Sequence, residues 1–443
     1  MEQKLQKKDY FYIGSMLFGI LFGAGNLLFP VHLGQEAGAN VWLATLGFLV
    51  SAIGMPFLGI VAMGVSESKS VYQLASRVGK RYGKIFTVLL YLVIGPFFAI
   101  PRLAATSFQI GIVPFVAETH QTGALAAYSV FFFAVAFYLS KNSSNLLAYV
   151  GKILNPVFLV VLGILLAMVV VNPMGGVSNL PVQEAYQNSP LTKGILEGYN
   201  TLDALAALAF GILVISAIQQ LGVTKPSQIA KDMTKSGALS MALMAAIYGL
   251  LAYAGATSLG KFELSANGGI ALAQITHHYL GTFGNILLAL IVFFGCLKTA
   301  VGLSTAFSAA FAEMFPKLSY KFFLSVTTIF PAIFANVGLT KIIEYAIPVL
   351  MFLYPLAIVL ILLALFHKVF KGKRSVYQWT SYFTLVVALV DGLAASPLAS
   401  IPKVNGFVQF VYSYLPFAKI GMGWIIPAII GFVIGNLIST REN

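Results

Sequence analysis

The sequence predicts an all-α polytopic membrane protein with twelve transmembrane helices, and three observations carry that prediction. Hydrophobic residues make up 59% of the 443-residue chain and charged residues only 9%, with a mean hydropathy of +0.88. A soluble domain carries about a quarter charged residues, so lipid must be the solvent for most of this surface. Apolar windows of bilayer length, about 20 residues for a hydrocarbon core of about 30 Å, recur along the chain. Lys and Arg crowd into alternate connections, as expected of cytoplasmic loops.

In chain order the windows run from Tyr10 to Pro30, Val41 to Ala62, Ile85 to Ser107, Ala124 to Ser140, Tyr149 to Val171 and Gly198 to Leu221. The remaining six are Gly237 to Thr257, Thr282 to Phe315, Phe322 to Asn336, Ile342 to Phe366, Tyr377 to Leu398 and Met422 to Ile438. The first follows Lys4, Lys7 and Lys8 as a signal peptide would, but it is longer than one and eleven more follow, so it is expected to be retained. Of the 27 Lys and Arg, 20 lie on the amino-terminal side of the membrane, 5 on the opposite side, and two, Arg102 and Lys298, inside spans. Both termini are therefore expected in the cytoplasm.

This composition excludes a soluble enzyme and a nucleic-acid binder; the formal charge of +13 is read as topology rather than as an anionic partner. The longest connection, from Asn172 to Glu197, is too short for a nucleotide-binding domain, and no GxxxxGK[ST] loop occurs, so an ATP-driven pump built from this chain alone is excluded. Cys296 is the single cysteine and forbids an internal disulfide.

Two spans carry small and polar residues where a plain anchor would use leucine. The first contains Gly23-Ala24-Gly25-Asn26-Leu27-Leu28-Phe29-Pro30. It reads either as close helix packing with a proline kink or as an unwound segment whose backbone groups form a midplane binding site. It is not a dinucleotide fingerprint, since Leu28 stands where the third glycine is needed. The sixth span offers a counterpart from Tyr199 to Gly211. Five spans separate the two, an odd number, so the second unit enters from the opposite face. Spans 1 to 5 and 6 to 10 are thus expected to be inverted repeats, and interrupted helices at matching places in such halves point to a transport site. The repeats would cover residues 10–171 and 194–366.

GAGNLLFP in the first span, GPFFAIPRLAATSF in the third, EGYNTLDALAALAFG in the sixth, CLKTAVGLSTAF in the eighth and IPVLMFLYP in the tenth resemble the bacterial branched-chain amino acid:cation symporter family. The resemblance covers essentially the whole chain and implies the leucine-transporter fold, with a ten-helix core over residues 1–366 followed by two peripheral helices over 377–438. It further implies that the amides of Ala24 and Gly25, beside Gly23, meet a substrate carboxylate at the positive end of the following half-helix. Asn26 would help hold that carboxylate or an ion. The backbone around Ala206, Ala207 and Ala209 would take the ammonium group, with Phe210 and Gly211 at the side-chain pocket. An apolar wall separates one methylene by only about 1 to 3 kcal/mol, so leucine, isoleucine and valine should all be accepted. The implied sodium site uses carbonyls of Gly19 and Phe22 with Gly295 and Thr299.

Four ionisable residues lie well inside spans, Arg102, Asp203, Lys298 and Asp391, and each is costly there unless paired. Arg102 and Asp203 sit at matching depths near the outer face and are expected to form an ion pair in an external gate; the alternative is that each snorkels or caps a helix end separately. Asp391 falls outside the core and reads as structural. Lys298 departs from the family pattern, which has threonine or an apolar residue there. Either its ammonium replaces sodium and deprotonates reversibly, giving proton-coupled or sodium-independent transport, or it turns away and sodium binds at Thr299.

The histidines lie at span ends or in loops without ligand spacing, and Cys296 has no intramembrane histidine beside it, so no catalytic site is expected. The basic runs Arg77 to Lys84 and Lys368 to Arg374 read as topology signals touching anionic headgroups. The expected function is a secondary active transporter importing branched-chain amino acids across a bacterial inner membrane by alternating access, coupled to sodium or protons. The alternative is a proton-coupled or sodium-independent carrier or exchanger of other hydrophobic amino acids. Beyond the coupling ion no cofactor is expected, and beyond substrate and lipid no nucleic acid or obligatory protein partner. A channel would need rings of charge or carbonyls along a pore, and an intramembrane enzyme would need clustered acid, base or metal residues.

Overall fold

In the computed structural model of the chain, residues 5–23, 26–141, 146–223 and 225–441 are described. The helices in order are α1 (Lys7–Leu21), α2 (Leu28–Ala37), α3 (Val41–Leu49), α4 (Met55–Val65), α5 (Val71–Ala75), α6 (Lys80–Leu92), α7 (Ala99–Gly111), α8 (Gln121–Lys141), α9 (Leu146–Val171) and α10 (Glu184–Gln187). They continue with α11 (Pro190–Tyr199), α12 (Asp203–Gln220), α13 (Pro226–Ser258), α14 (Gly268–Met314), α15 (Tyr320–Phe334), α16 (Leu339–Leu365), α17 (Arg374–Ala394), α18 (Pro402–Tyr414) and α19 (Ile425–Arg441). Each of the twelve apolar windows lies mainly on helix, and no strand occurs, among the described residues.

Four spans are composite. The first is α1 and α2 with a break between them, and the sixth is α11 and α12, also broken. The second joins α3 to α4 through a widened π turn at Val50–Gly54, and the third joins α6 to α7 through another at Val93–Phe97. Pro96 withholds an N–H inside that second turn, and Gly95 leaves helical geometry at φ −101°, ψ −123°. The expected start of the eighth span at Thr282 coincides with a real discontinuity, because Gly281 takes φ +61° inside α14.

Close helix contacts rest on glycine. A Cβ added to Gly34 of α2 would lie 1.9 Å from the Ala252 carbonyl of α13, and one added to Gly255 of α13 would lie 1.9 Å from the Val31 carbonyl of α2. The same arrangement joins α3 to α11: Gly47 faces the Leu191 carbonyl at 1.9 Å and Gly194 faces the Ala44 carbonyl at 2.0 Å. The first contact pairs the second half of span 1 with span 7; the other pairs span 2 with the first half of span 6. In both contacts small residues let the backbones approach closely in lipid.

Seven helical segments are long and apolar enough to cross a bilayer by themselves among the described residues, Leu28–Val65 and Gly268–Met314 among them. Large side chains such as Val130, Phe131, Phe283, Ile333, Val386 and Leu437 stand exposed on the flanks. An exposed apolar surface of this extent is a lipid-facing one, and the protein is a multi-pass membrane protein. Asp391 of α17 is buried and accepts a hydrogen bond from Tyr412 of α18 at 2.9 Å. It ties α17 to the short α18 that follows it.

Candidate functional site

The first break opens after Leu21. Phe22 is extended (φ −96°, ψ 100°) although its N–H still bonds the Phe18 carbonyl, and Asn26 N–H returns to Gly23 at 3.0 Å before α2 starts. Ala24 and Gly25, whose amides were expected to meet a carboxylate, lie outside the described residues. Phe22 packs its ring on Phe18, Phe158 and Tyr248 at centroid distances of 4.7, 5.7 and 5.7 Å. A Cβ at Gly23 would stand 3.8 Å from Thr299 Oγ1, and that hydroxyl donates to the Gly295 carbonyl at 3.0 Å. The first break therefore lies directly against the middle of α14. Gly19 lies in the last turn of α1.

The second break spans Asn200, Thr201 and Leu202. Leu202 occupies the left-handed region at φ +65°, ψ 5°, a conformation a branched side chain seldom adopts, and α12 begins immediately after it. The break thus precedes the expected position. Ala206 to Ala209 lie within α12, Ala206 N–H already bonds the Leu202 carbonyl at 3.0 Å, and their backbone is not unwound. Ala207 packs on Gly59 of α4, and Gly211 packs on Ile60 and Met63 of the same helix. The small residues in this stretch permit close helix approach. Ala206 and Phe210, one turn apart, occupy a more open face of α12, and Ala209 is buried.

Polar side chains hold the two breaks together. Asn26 Nδ2 donates to both carboxylate oxygens of Asp203, at 2.9 and 2.8 Å, and both residues are buried. Asp203 is the first residue of α12, where the positive end of the helix dipole favours an anion. Its own N–H bonds Thr201 Oγ1 at 3.3 Å. Arg102 of α7 donates through Nη1 to the Asn200 carbonyl and through Nη2 to the Thr201 carbonyl at 3.2 Å. Its guanidinium also lies 4.9 Å from the centre of the Phe29 ring.

The expected Arg102–Asp203 ion pair is not formed. The guanidinium fork fits the bare carbonyls left where α11 ends, and the carboxylate is taken by Asn26, so the charges sit near one another without direct contact.

Further residues surround the second break. Glu197 accepts from Lys193 Nζ at 3.3 Å and from Asn200 Nδ2 at 3.0 Å, and Tyr199 stacks on Tyr354 of α16 at 4.1 Å. None of these was singled out in the sequence. The signal was present as four polar residues, Glu197, Asn200, Thr201 and Asp203, crowded at the head of an apolar span, with an acid placed where a helix starts. Lys298, next to Thr299 on α14, is half-buried, and its ammonium has no hydrogen-bond or ion-pair partner among the described residues.

Residues 6–442 match the family profile described as branched-chain amino acid transport protein. The chain is 42% identical over 439 residues to the branched-chain amino acid permease BrnQ of Bacillus subtilis (strain 168), covering 99% of this chain and 98% of the relative. It is 44% identical over 438 residues to the BrnQ permease of Lactobacillus delbrueckii subsp. lactis, covering 98% and 97%. Among solved structures it is similar to Mhp1 in an inward facing conformation, with a TM-score of 0.62 and 11% identity, covering 100% of this chain and 96% of that one. It is also similar to MhsT in complex with L-phenylalanine, with a TM-score of 0.52 and 16% identity, covering 98% and 99%. At these identities the structural likeness is one of fold, the leucine-transporter fold.

Proposed function

The chain belongs to the branched-chain amino acid transport protein family, a family of membrane transporters rather than enzymes, and from that premise we propose that it carries leucine, isoleucine and valine inward across a bacterial inner membrane by alternating access. Both termini face the cytoplasm in this reading, in keeping with the basic residues concentrated on that side. The ten-helix core does the work, and the two peripheral helices brace it.

One observation carries the reading: two interrupted helices, in spans 1 and 6, are joined at their breaks through Asn26 and Asp203. An amino acid is a zwitterion and needs a partner at each end in a medium without water. The start of α2, with Gly23, Ala24 and Gly25 ahead of it, offers amides and a positive dipole to the carboxylate. Asp203 and the open face carrying Ala206 and Phe210 offer the ammonium and the aliphatic chain their partners. Asn26 positions Asp203.

For the coupling ion, Gly23 and Thr299 are adjacent, which supports a cation held by the carbonyls of Gly19, Phe22 and Gly295 and the hydroxyl of Thr299. Lys298 stands beside that place without a counter-ion. A fixed ammonium there supports coupling that does not require sodium.

Uptake of labelled leucine into proteoliposomes, with isoleucine, valine, methionine and alanine as competitors, tests the substrate; competition by methionine or alanine equal to that by valine overturns the assignment. Replacing sodium by choline tests the ion. Uptake that persists in choline supports the lysine as the resident cation, and strict sodium dependence refutes it.

A further inference from the structure

The two basic runs at the amino-terminal side of the membrane, nearly 300 residues apart in sequence, meet in space. They line a cleft of about 590 Å³ between the loop preceding α6 and the start of α17, where Arg77, Lys80, Arg81 and Arg374 gather with Gln378 and Tyr382. No Asp or Glu lines it. A Cβ on Gly79 would come within 4.0 Å of both Arg374 Nη2 and Tyr382 Oη, so the two segments touch.

Among the described residues no carboxylate pairs with the basic groups of the cleft; Glu67 acts only on the neighbouring His367 ring. Arg77 bonds only neutral partners, the His367 ring at 2.6 Å, Tyr377 Oη at 3.5 Å and the Ser66 carbonyl. Lys80, Arg81 and Arg374 have no hydrogen-bond or ion-pair partner among the described residues. Helices α6 and α17 both begin here without a side-chain cap, adding two positive dipole ends to the same space. Loops that serve only to fix topology need basic residues somewhere on the correct side. They do not need four of them around one cavity.

An apolar track leads away from the cleft into the membrane. Tyr382, Val386 and Leu389 stand 44%, 64% and 55% exposed on one stripe of α17, and Ile85 of α6, one turn past Arg81, is 62% exposed. A charged cavity that continues into an exposed apolar stripe has the form of a phospholipid, headgroup above and acyl chains below. We propose that this cleft binds the phosphate-bearing headgroup of an anionic phospholipid from the leaflet on the amino-terminal side, with a chain lying along α17.

The test is native mass spectrometry of the full-length protein after exchange through detergent containing equal phosphatidylglycerol and phosphatidylcholine. The wild type should retain phosphatidylglycerol selectively. Each basic residue near an anionic surface is worth roughly fivefold in affinity, so K80Q/R81Q/R374Q should lose about a hundredfold. The charge-preserving K80R/R81K/R374K should keep the lipid, as should K317Q/K321Q, which removes charge elsewhere on the same side. If the triple variant fails to fold, R374Q alone should show the fivefold step. Equal retention of both lipids, no loss in the Gln variants, or an equal loss in K317Q/K321Q overturns the proposal. Displacement of the lipid by millimolar inorganic phosphate overturns it as well, since the cleft would then be a site for soluble anions.

Discussion

Asn26 in the break of the first span donates both of its short contacts, 2.9 and 2.8 Å, to the carboxylate of Asp203 at the break of the sixth. The bond crosses 177 residues of sequence and fastens the discontinuity of span 1 to that of span 6. Any movement of one half-helix is therefore felt by the other. A hydrogen bond to a charged group contributes about 1.5 to 3 kcal/mol and is stronger still where water is excluded.

Leucine uptake by Asn26→Ala in proteoliposomes should fall by about tenfold to a hundredfold, the equivalent of that bond. Asn26→Asp should be worse, because two carboxylates would face each other. The exchange N26D/D203N restores a donor and an acceptor and should recover a measurable part of the loss. Uptake by Asn26→Ala at the wild-type rate would show that the link is not used.

Arg102 is held by the Asn200 and Thr201 carbonyls rather than by a carboxylate. Arg102→Ala leaves two buried acceptors bare and should lower stability by about 3 kcal/mol, read as a drop of several degrees in thermal unfolding in detergent. Arg102→Lys should recover little, since a single ammonium does not reproduce the planar fork. If the side chain were instead paired to Asp203, lysine would serve nearly as well.

Leu202 sustains a left-handed backbone while its side chain is 2% exposed. Leu202→Ile keeps volume but adds a branch at Cβ, which that backbone tolerates least, and should cost about 2 kcal/mol. Leu202→Met should stay within about 1 kcal/mol. Comparable unfolding temperatures for the two variants would refute the argument.

His367, in the loop beyond α16, is held below its reference pKa of 6.5 by burial first and by Arg77 next. The unfolded chain therefore binds a proton more readily than the folded one. The stability this group supports is present in full above the reference value and drains away as pH falls through the lower folded value. Unfolding temperatures should fall on acidification below about pH 6.5, and His367→Gln should remove part of that slope. A slope unchanged in the variant would clear His367 of responsibility.

The helices were legible because lipid simplifies the problem. A span must be about 20 apolar residues long, and no polar backbone can be left over, so twelve windows read from hydropathy alone lie mainly on helix among the described residues. Even the discontinuity at Gly281 sits one residue from the window edge at Thr282. Glycine and polar residues where leucine is cheaper marked spans 1 and 6 as unusual, but left a break and close packing both open. The position of the second break was not legible. Ala206, Ala207, Ala209 and Gly211 are small both where a helix unwinds and where it packs tightly, and only the presence of Gly59, Ile60 and Met63 opposite them distinguishes the two.

The charges divide in the same way. Burial of Arg102 and Asp203 near one depth followed from counting residues, but their partners did not, because a guanidinium satisfies itself equally with a carboxylate or with the carbonyls of an interrupted helix. The chain by itself determined composition, a multi-pass helical architecture and the polar residues that had to find company in lipid. Only the folded arrangement decided which residues those companions are, since hydrogen bonds depend on distances of about 3 Å that no spacing along a chain encodes across 177 positions.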